Sequence, residues 1–561
     1  RPRSCWHRQG VGSRRHHHRP IAERRSPVTG SPRPGASPRP SADRSTGRGR
    51  LSGTYRPRDP GATVFHTIVR EHLETFLEEG RSIDGEGYPA FVEQAFRKFL
   101  SCGVLCHGFA RLKCSGCGHE RLVGFSCKSV VCPSCQGRRM AEMAAYARDQ
   151  LLPEAEYRQF VLTVPWKLRY RLSVDRKLMS AVLRAFLQTV FRWQRRRGRE
   201  RGIGGGETGA LSYLHRMGGA LNSHSHIHSI LPDGLFAPRA DGEDLLRFVS
   251  LPGPSREELT KLLERIARRI TKLVEKVAEE EADCNSLEET AASMQAALAR
   301  SMSAPSPADQ LVLATEDHEE GASSSRTLCA KVAGFTLHAG RVVPLEDRDS
   351  LEQLCKYGLR APFSQERLRL REDGTVVYEL SRPWPNSAGV TELVLDPVEF
   401  LQRVAALIPR PYTHQIRRHG VFAGRSKHRW RLPPPPVRPE LEEEDASSES
   451  SQETGKPGSD SEGGVKRPRT KYTWAQLIRR SFFADCLRCP RCAATMTVVS
   501  YLTDPDVIRR ILGHLGLPTT TAPVLPSRVG SGLGGWDEPG PSEEWESPEE
   551  GEDRWEERAP P

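Results

Sequence analysis

From Thr63 onward the apolar residues Val64, Ile68, Val69, Leu73, Phe76 and Leu77 recur at helical spacing, and the same pattern predicts a second helix from about Pro89 to Leu100. Longer helical stripes are predicted over 138–152, over 175–197 (Leu178, Val182, Leu183, Phe186, Val190, Phe191) and over 255–280 (Leu259, Leu262, Leu263, Ile266, Ile270). Strand signals are shorter and richer in β-branched residues: 158–165, 209–217, a hairpin over 328–343 turning near Ala339-Gly340, and a hairpin joining 375–380 to 390–395. Short helices are predicted over 347–360, broken near Gly358 and Pro362, and over 398–407. Helices interleaved with antiparallel hairpins give an expected fold class of α+β.

One strand stands out for its polar positions. His224, His226 and His228 fall at every second residue of a run that ends in Ile230-Leu231 and a Pro232-Asp233-Gly234 turn, so all three share one strand face. Neutral imidazoles at that spacing can converge on a divalent ion; the competing reading is an exposed polar strand face, and the third histidine in phase weighs against it. Gly218-Gly219 separates this strand from 209–217, which predicts an antiparallel pair and sets the histidines on a sheet.

The cysteines cluster rather than scatter. Cys114-x-x-Cys117 and Cys132-x-x-Cys135 stand at the spacing of a four-thiolate zinc ribbon, with Cys102, Cys106, His107, His119 and Cys127 left over for an exchanged ligand or a second ion. Cys489-x-x-Cys492 is half a further site. Fourteen cysteines arranged this way in 561 residues point to zinc in a reducing compartment, not to a disulfide scaffold.

Charge refines the picture. The net charge is +12 and the pI about 9.1, which suggests an acidic partner such as nucleic acid. Residues 1–60 hold fifteen arginines against Glu23, Asp43 and Asp59 with almost no aliphatic residues, so they are expected to be a disordered basic arm. The expected division continues with a helical lead-in over 61–100, a zinc-binding ribbon over 101–150, a catalytic domain over 155–432 with an insertion at 281–325, an acidic, Pro-rich linker over 433–470, a C-terminal helix and Cys-x-x-Cys knuckle over 471–515, and a disordered acidic tail over 516–561. No run of 18 or more apolar residues exists and the first residues lack an apolar signal core, so no membrane partner is expected and the location is expected to be cytoplasmic, associated with a bacterial-type nucleoid.

Two basic stretches are candidates for phosphate contact: Arg195-Arg196-Arg197 beside Trp193, and Arg425, Lys427, His428 and Arg429 among Tyr412, Phe422 and Trp430. Arginines closing a helix also suit its dipole, so the first run reads equally as a solvated cap. Tyr357 lies between Lys356 and Arg360, with Gln353 one turn earlier; by itself such a phenol reads as a packed tyrosine.

Taken together, several segments resemble one family. Cys114-x-x-Cys117-Gly118, Ser126-Cys127-Lys128 and Cys132-Pro133-x-Cys135 resemble the zinc-binding domain of rolling-circle transposases of the common-region insertion-sequence type. Leu221-Asn222-x-His224-x-His226-Ile227-His228 followed by Asp233-Gly234 resembles their His-hydrophobe-His (HUH) strand. Cys355-Lys356-Tyr357-x-x-Arg360-x-Pro362 and Glu366-Arg367-Leu368 resemble their single-tyrosine helix, with His419-Gly420-Val421-Phe422-Ala423, Ser426-Lys427-His428-Arg429 and Tyr472-Thr473-Trp474-Ala475 downstream. The match runs in order over about 95–500. It implies a zinc ribbon followed by an antiparallel-sheet HUH endonuclease domain with flanking helices.

What the resemblance implies chemically is equally definite. His226 and His228 would hold Mg2+ or Mn2+ at the scissile phosphate, with His224 the first candidate for a third ligand and Gln353 or Asp233 behind it. Tyr357 would attack to give a 5′-phosphotyrosine, which conserves the bond energy, so joining single-stranded element ends needs no nucleotide triphosphate. Some relatives carry a second tyrosine four residues on; here position 361 is Ala. Two other classes compete: a non-catalytic zinc-ribbon DNA-binding protein, and a rolling-circle replication initiator, against whose helicase-linked form stands the lack of a Gly-x-x-x-x-Gly-Lys-Ser/Thr loop.

Overall fold

The structure is a computed structural model, and it describes residues 53–54, 59–239, 243–283, 291–302, 328–381, 390–436, 476–478 and 484–529. Most of the basic arm, of the insertion, of the linker and of the acidic tail lies outside the described residues.

The fold is α+β, and its centre is a six-stranded sheet in the order Ile416–Gly420, Gly209–Met217, Ser223–Pro232, Tyr157–Thr163, Phe335–Val343, Cys329–Val332. Every neighbouring pair is antiparallel. Alternation along the strands divides the sheet into two faces. Phe160, Leu162, Ala210, Leu214, Ile227 and Leu231 pack under the helices Arg176–Arg199 and Arg256–Asp283. The opposite face carries Tyr157, Leu211, Tyr213 and Ile230, which pack against the helices Pro133–Tyr146 and Arg348–Tyr357. Asp175, Asp347 and Asp396 each start a helix by accepting a backbone N–H with the side chain.

The hairpin over 328–343 turns elsewhere than expected. Its strands are Cys329–Val332 and Phe335–Val343, and the turn is Ala333-Gly334, both at positive φ (49° and 78°), as a two-residue turn matching the strand twist demands. Ala339-Gly340 instead marks a register slip between His338 and Arg341 against the strand Tyr157–Thr163.

A second core joins distant parts of the chain. The helices Val64–Asp84, Ala90–Leu100 and Pro397–Ala406 and the three-stranded sheet of Leu368–Leu370, Val376–Glu379 and Glu392–Leu395 share Phe65, Phe76, Phe96, Phe99, Phe363 and Phe400. Within the stretch read as an insertion, Ala292–Met302 is a helix whose Met294, Ala297 and Leu298 join this core. Its stripe is short and mostly small, so periodicity alone gave it no weight. A smaller sheet sets Met496–Leu502 antiparallel to Phe109–Cys114, which pairs with Glu120–Gly124. Residues 516–529, read as the start of a tail, include Leu525 and Arg528, whose backbone N–H groups bond Arg70 and Thr75 of the first helix. Among the described residues no helix is long and apolar enough to cross a membrane.

Candidate active site

Three histidines meet on the sheet face that looks toward the helix Arg348–Tyr357. The strands Gly209–Met217 and Ser223–Pro232 pair so that Tyr213 stands opposite His228 and His215 opposite His226, which puts His215, His226 and His228 side by side. All three are buried, and their ligand nitrogens lie within 4.8 Å of one another.

Each ring has an identifiable orienting partner. The Gly358 carbonyl can only accept, so it takes the Nε2–H of His215 at 2.8 Å and leaves the lone pair on Nδ1. His226 donates Nδ1–H to the His224 carbonyl at 2.8 Å, which leaves its lone pair on Nε2. The Gln159 amide nitrogen Nε2 lies 3.0 Å from His228 Nδ1; with that amide turned end for end its oxygen accepts from Nδ1–H, and Nε2 of the ring holds the lone pair. His215 Nδ1 and His228 Nε2 are buried and lack a hydrogen-bond partner in the protein. Buried polar atoms are rarely left so, and two of them in one converging set are the donors a cation requires.

Electrostatics keep the His215 and His228 rings neutral. Burial pushes the pKa of His215 down to about 3, reinforced by the neighbouring His226. Burial also holds His228 well below the ordinary imidazole value, with His215 and His226 adding to it. Neutral imidazole is the form that binds metal, so protons do not compete for this site near pH 7.

The expected third ligand is corrected. Between Ser223 and His226 the strand places two residues, His224 and Ser225, opposite the single Arg216, a bulge that takes His224 out of phase with its neighbours. Its ring instead lies 4.9 Å from that of His226, centroid to centroid. His215 is the histidine that stands with His226 and His228 in the cluster. Of the other two candidates, Asp233 is gripped by Arg158 at 2.8 and 2.5 Å, and Gln353 is exposed on its helix. The signal that pointed to His215 was the hairpin itself: once the two strands pair, the residue facing His226 is determined.

Tyr357, the last residue of its helix, lies beside this cluster. Its ring centroid is 5.7 Å from that of His228 and 6.2 Å from that of His215, and the ring is 36% exposed, open to a ligand. The Arg360 guanidinium sits 5.0 Å above it. The next residue, Gly358, supplies the carbonyl that orients His215, and a side chain at Gly358 would collide with the Tyr213 ring at 2.6 Å. Backbone and site are therefore locked together. Lys356 is tied to Glu352 at 3.0 Å.

The basic run at the end of the helix Arg176–Arg199 is largely neutralised. Arg195 pairs with Glu207 at 2.6 Å and Arg196 with Glu200 at 3.5 Å, while Arg197 is buried, 3.2 Å from Glu258 and stacked 4.8 Å over Trp193. In the second basic stretch Arg425 and Lys427 are exposed, His428 is 3.8 Å from Glu207, and Arg429 bonds the Phe422 carbonyl and Tyr146 hydroxyl.

The ribbon as expected, with Cys114, Cys117, Cys132 and Cys135 around one ion, is also corrected. Cys132 and Cys135 group with Cys102 and Cys127, while Cys114 and Cys117 group with Cys489 and Cys492, the sulfurs of each set within 4.8 Å of one another. In the first set Cys102 lies 3.7 Å from Cys135 and 3.5 Å from Cys132, and Cys127 lies 3.6 Å from Cys135. Tetrahedral zinc with bonds of about 2.3 Å separates its sulfurs by roughly 3.8 Å, so the donor set fits that ion. The Ser129 N–H donates to Cys127 Sγ at 3.3 Å, a contact that favours thiolate. Spacing misled because Cys102 comes from the end of the preceding helix, outside any Cys-x-x-Cys pair. The residues flanking Cys132 reach the histidines: Val130, Val131 and Gln136 line the same cavity as His215, Arg216 and Arg360.

Comparison with known proteins gives two family matches: a family described as "Putative transposase" over residues 209–429, and one described as "Transposase zinc-binding domain" over 68–164. The chain is 29% identical over 188 residues to "Transposase for insertion sequence element IS801" of Pseudomonas savastanoi pv. phaseolicola, covering 33% of this chain and 42% of that one. It is 32% identical over 162 residues to "Putative transposase y4qJ" of Sinorhizobium fredii (strain NBRC 101917 / NGR234), covering 28% of this chain and 39% of that one. The matches thus span about two fifths of each relative's length. No solved structure matches.

Proposed function

Because this chain belongs to the insertion-sequence transposases that carry an N-terminal zinc-binding domain, we propose that it nicks and rejoins single-stranded DNA at the ends of a mobile element, through Tyr357. The observation that carries the reading is the placement of an accessible phenol beside three buried imidazoles whose ring nitrogens converge.

In this reading the Tyr357 oxygen attacks phosphorus in line. The new bond is phenol oxygen to phosphorus, the bond broken is phosphorus to the 3′ oxygen, the phenol proton passes to solvent, and the departing 3′ oxygen takes one up. A 5′-phosphotyrosine and a free 3′-hydroxyl result, and reversal by another 3′-hydroxyl joins strands without a nucleotide triphosphate. Arg360 stacks on the ring, limits its rotation and sets a positive charge where the phosphate must sit. His215, His226 and His228 would hold a divalent ion that polarises the phosphoryl oxygen when bound. Three nitrogen donors suit manganese better than magnesium, which prefers an all-oxygen shell. Cys102, Cys127, Cys132 and Cys135 would hold the zinc of the N-terminal domain, and so support the cavity wall formed by Val130, Val131 and Gln136.

The test is incubation of the full chain with an end-labelled single-stranded element terminus and manganese. A covalent protein–DNA species and a free 3′-hydroxyl are expected, with Tyr357→Phe lowering its formation by at least about 10⁴-fold, the loss typical of a deleted nucleophile. Salt-sensitive binding without any adduct under any divalent ion would mark a non-catalytic DNA-binding protein and overturn the proposal.

A further inference from the structure

Two short turns at opposite ends of the chain share one construction. In Cys114-Ser115-Gly116-Cys117-Gly118 the Cys114 N–H donates to the His119 carbonyl at 2.8 Å, and the Gly118 N–H donates back to the Cys114 carbonyl at 3.0 Å. In Cys489-Pro490-Arg491-Cys492-Ala493 the Cys489 N–H donates to the Ala494 carbonyl at 2.9 Å, and the Ala493 N–H to the Cys489 carbonyl at 3.0 Å. The residue after the second cysteine is left-handed in both, Gly118 at φ 70° and Ala493 at φ 60°. For glycine this costs nothing, but for alanine it is strain that persists only where the surroundings impose it.

The turns also face each other. Cys114 Sγ is 3.4 Å from Cys492 Sγ, and Cys117 Sγ is 3.6 Å from Cys489 Sγ, across 378 and 372 residues of sequence. These separations are far beyond a disulfide bond of about 2.05 Å and close to the sulfur spacing around tetrahedral zinc. The Arg491 N–H donates to Cys489 Sγ at 3.4 Å. At the tip of the first turn, a side chain on Gly116 would meet Ala494 at 3.1 Å and Cys492 Sγ at 3.5 Å, so the close approach requires glycine. Behind the four sulfurs lies a small core: Ala110, Leu112, Val123 and Met496, joined by Phe109 and by Ile508 and Leu512 of the adjoining helix Pro505–His514. A core of that size rarely holds an assembly without a metal.

We propose that Cys114, Cys117, Cys489 and Cys492 hold a second zinc ion, and that this ion joins the chain's C-terminal segment to its N-terminal hairpin. The ribbon is thus split in sequence. Its first half is the hairpin Phe109–Gly124, its second half arrives after the whole catalytic region, and Met496–Leu502 completes the sheet against Phe109–Cys114 with Met496 opposite Cys114. The two zinc sites are unequal. Cys117 and Cys492 are exposed, whereas Cys102 and Cys132 of the first set are buried, so the second ion is the one a chelator removes first.

The experiment is metal analysis of the reduced full chain with limited proteolysis. The wild type is expected to hold two zinc ions per chain, and the pair Cys489→Ser and Cys492→Ser to hold one, with cleavage newly admitted near residue 484. The pair Cys127→Ser and Cys132→Ser should also lose one ion, but keep the second. Should the serine variants fail to fold, cobalt exchange into the wild type decides the matter, with thiolate-to-cobalt absorbance that saturates at two equivalents in two separable steps. One ion per chain in the wild type, saturation at one cobalt, or disulfides linking Cys114 to Cys492 in the reduced protein would overturn the proposal.

Discussion

The three imidazoles come from a single hairpin of the central sheet, whereas the thiolate clusters collect ligands from helix ends and loops, one of them across 378 residues. The difference shows what each site asks of the fold. The histidines sit on a sheet whose opposite face is already buried beneath two long helices, so the framework stands without an ion. Cys114, Cys117, Cys489 and Cys492 lie beside a core of only a few apolar side chains, where an ion would be part of the framework, while Cys102 and Cys132 belong to the large core that contains Phe65, Phe99 and Phe400. Metal at the first site should govern chemistry; metal at the second should govern structure.

Exchanging the two losses breaks the comparison most forcefully. Cys489→Ala should release zinc and open the region around residues 484–502 to protease, because its four-thiolate set is backed by only a small core and structural zinc supplies on the order of 10 kcal/mol to a small domain. His228→Ala should leave the protease pattern and the thermal midpoint close to wild type while suppressing adduct formation. Equal unfolding in the two variants, read by proteolysis and thermal melts, would contradict the division.

A smaller effect separates His215 from His224. His215→Ala should weaken manganese binding by about 10²-fold or more and His224→Ala by less than about 10-fold, measured by titration calorimetry, since only the first aims a lone pair into the cluster. Gln159→Leu, which removes the partner of His228 Nδ1, should cost about 10-fold in the same titration and leave the protein folded.

The contrast between histidines that can meet an ion and one that cannot is sharpened by His419, on the sheet's edge strand. Burial pushes its pKa down to about 4, with Arg417 and Arg184 adding to the shift. The unfolded chain, with an ordinary value near 6.5, takes up a proton that the folded chain refuses, so stability falls as pH drops from about 6.5 to about 4. His419→Phe should make that part of the stability curve less steep in denaturant melts, the remainder coming from His215 and His228, and leave manganese affinity unchanged.

What was legible in the sequence follows the same boundary. Period-two placement of His226 and His228 and the long apolar stripes are local signals, and they placed the strand and the helical faces. His215 needed the pairing register, which depends on a bulge at His224-Ser225 that no local pattern announces. The thiolate partners needed the tertiary fold outright. Cys-x-x-Cys spacing gives half a site each time, and which halves meet is decided by a sheet that joins residues 109–124 to 496–502. The arginine run over 195–197 shows the same limit: its charge is evident in sequence, while the acids paired with it, Glu207 and Glu258, lie elsewhere in the chain.

The most direct measurement is the mapping of the covalent adduct. Wild-type protein is reacted with a single-stranded element end and manganese, digested with nuclease and trypsin, and the modified peptide is sequenced by mass spectrometry. Nucleotide mass on Tyr357, within the tryptic segment 357–360, is the expected result. Attachment at another tyrosine, such as the highly exposed Tyr412, would contradict the assignment of the imidazole cluster and Tyr357 to one active site.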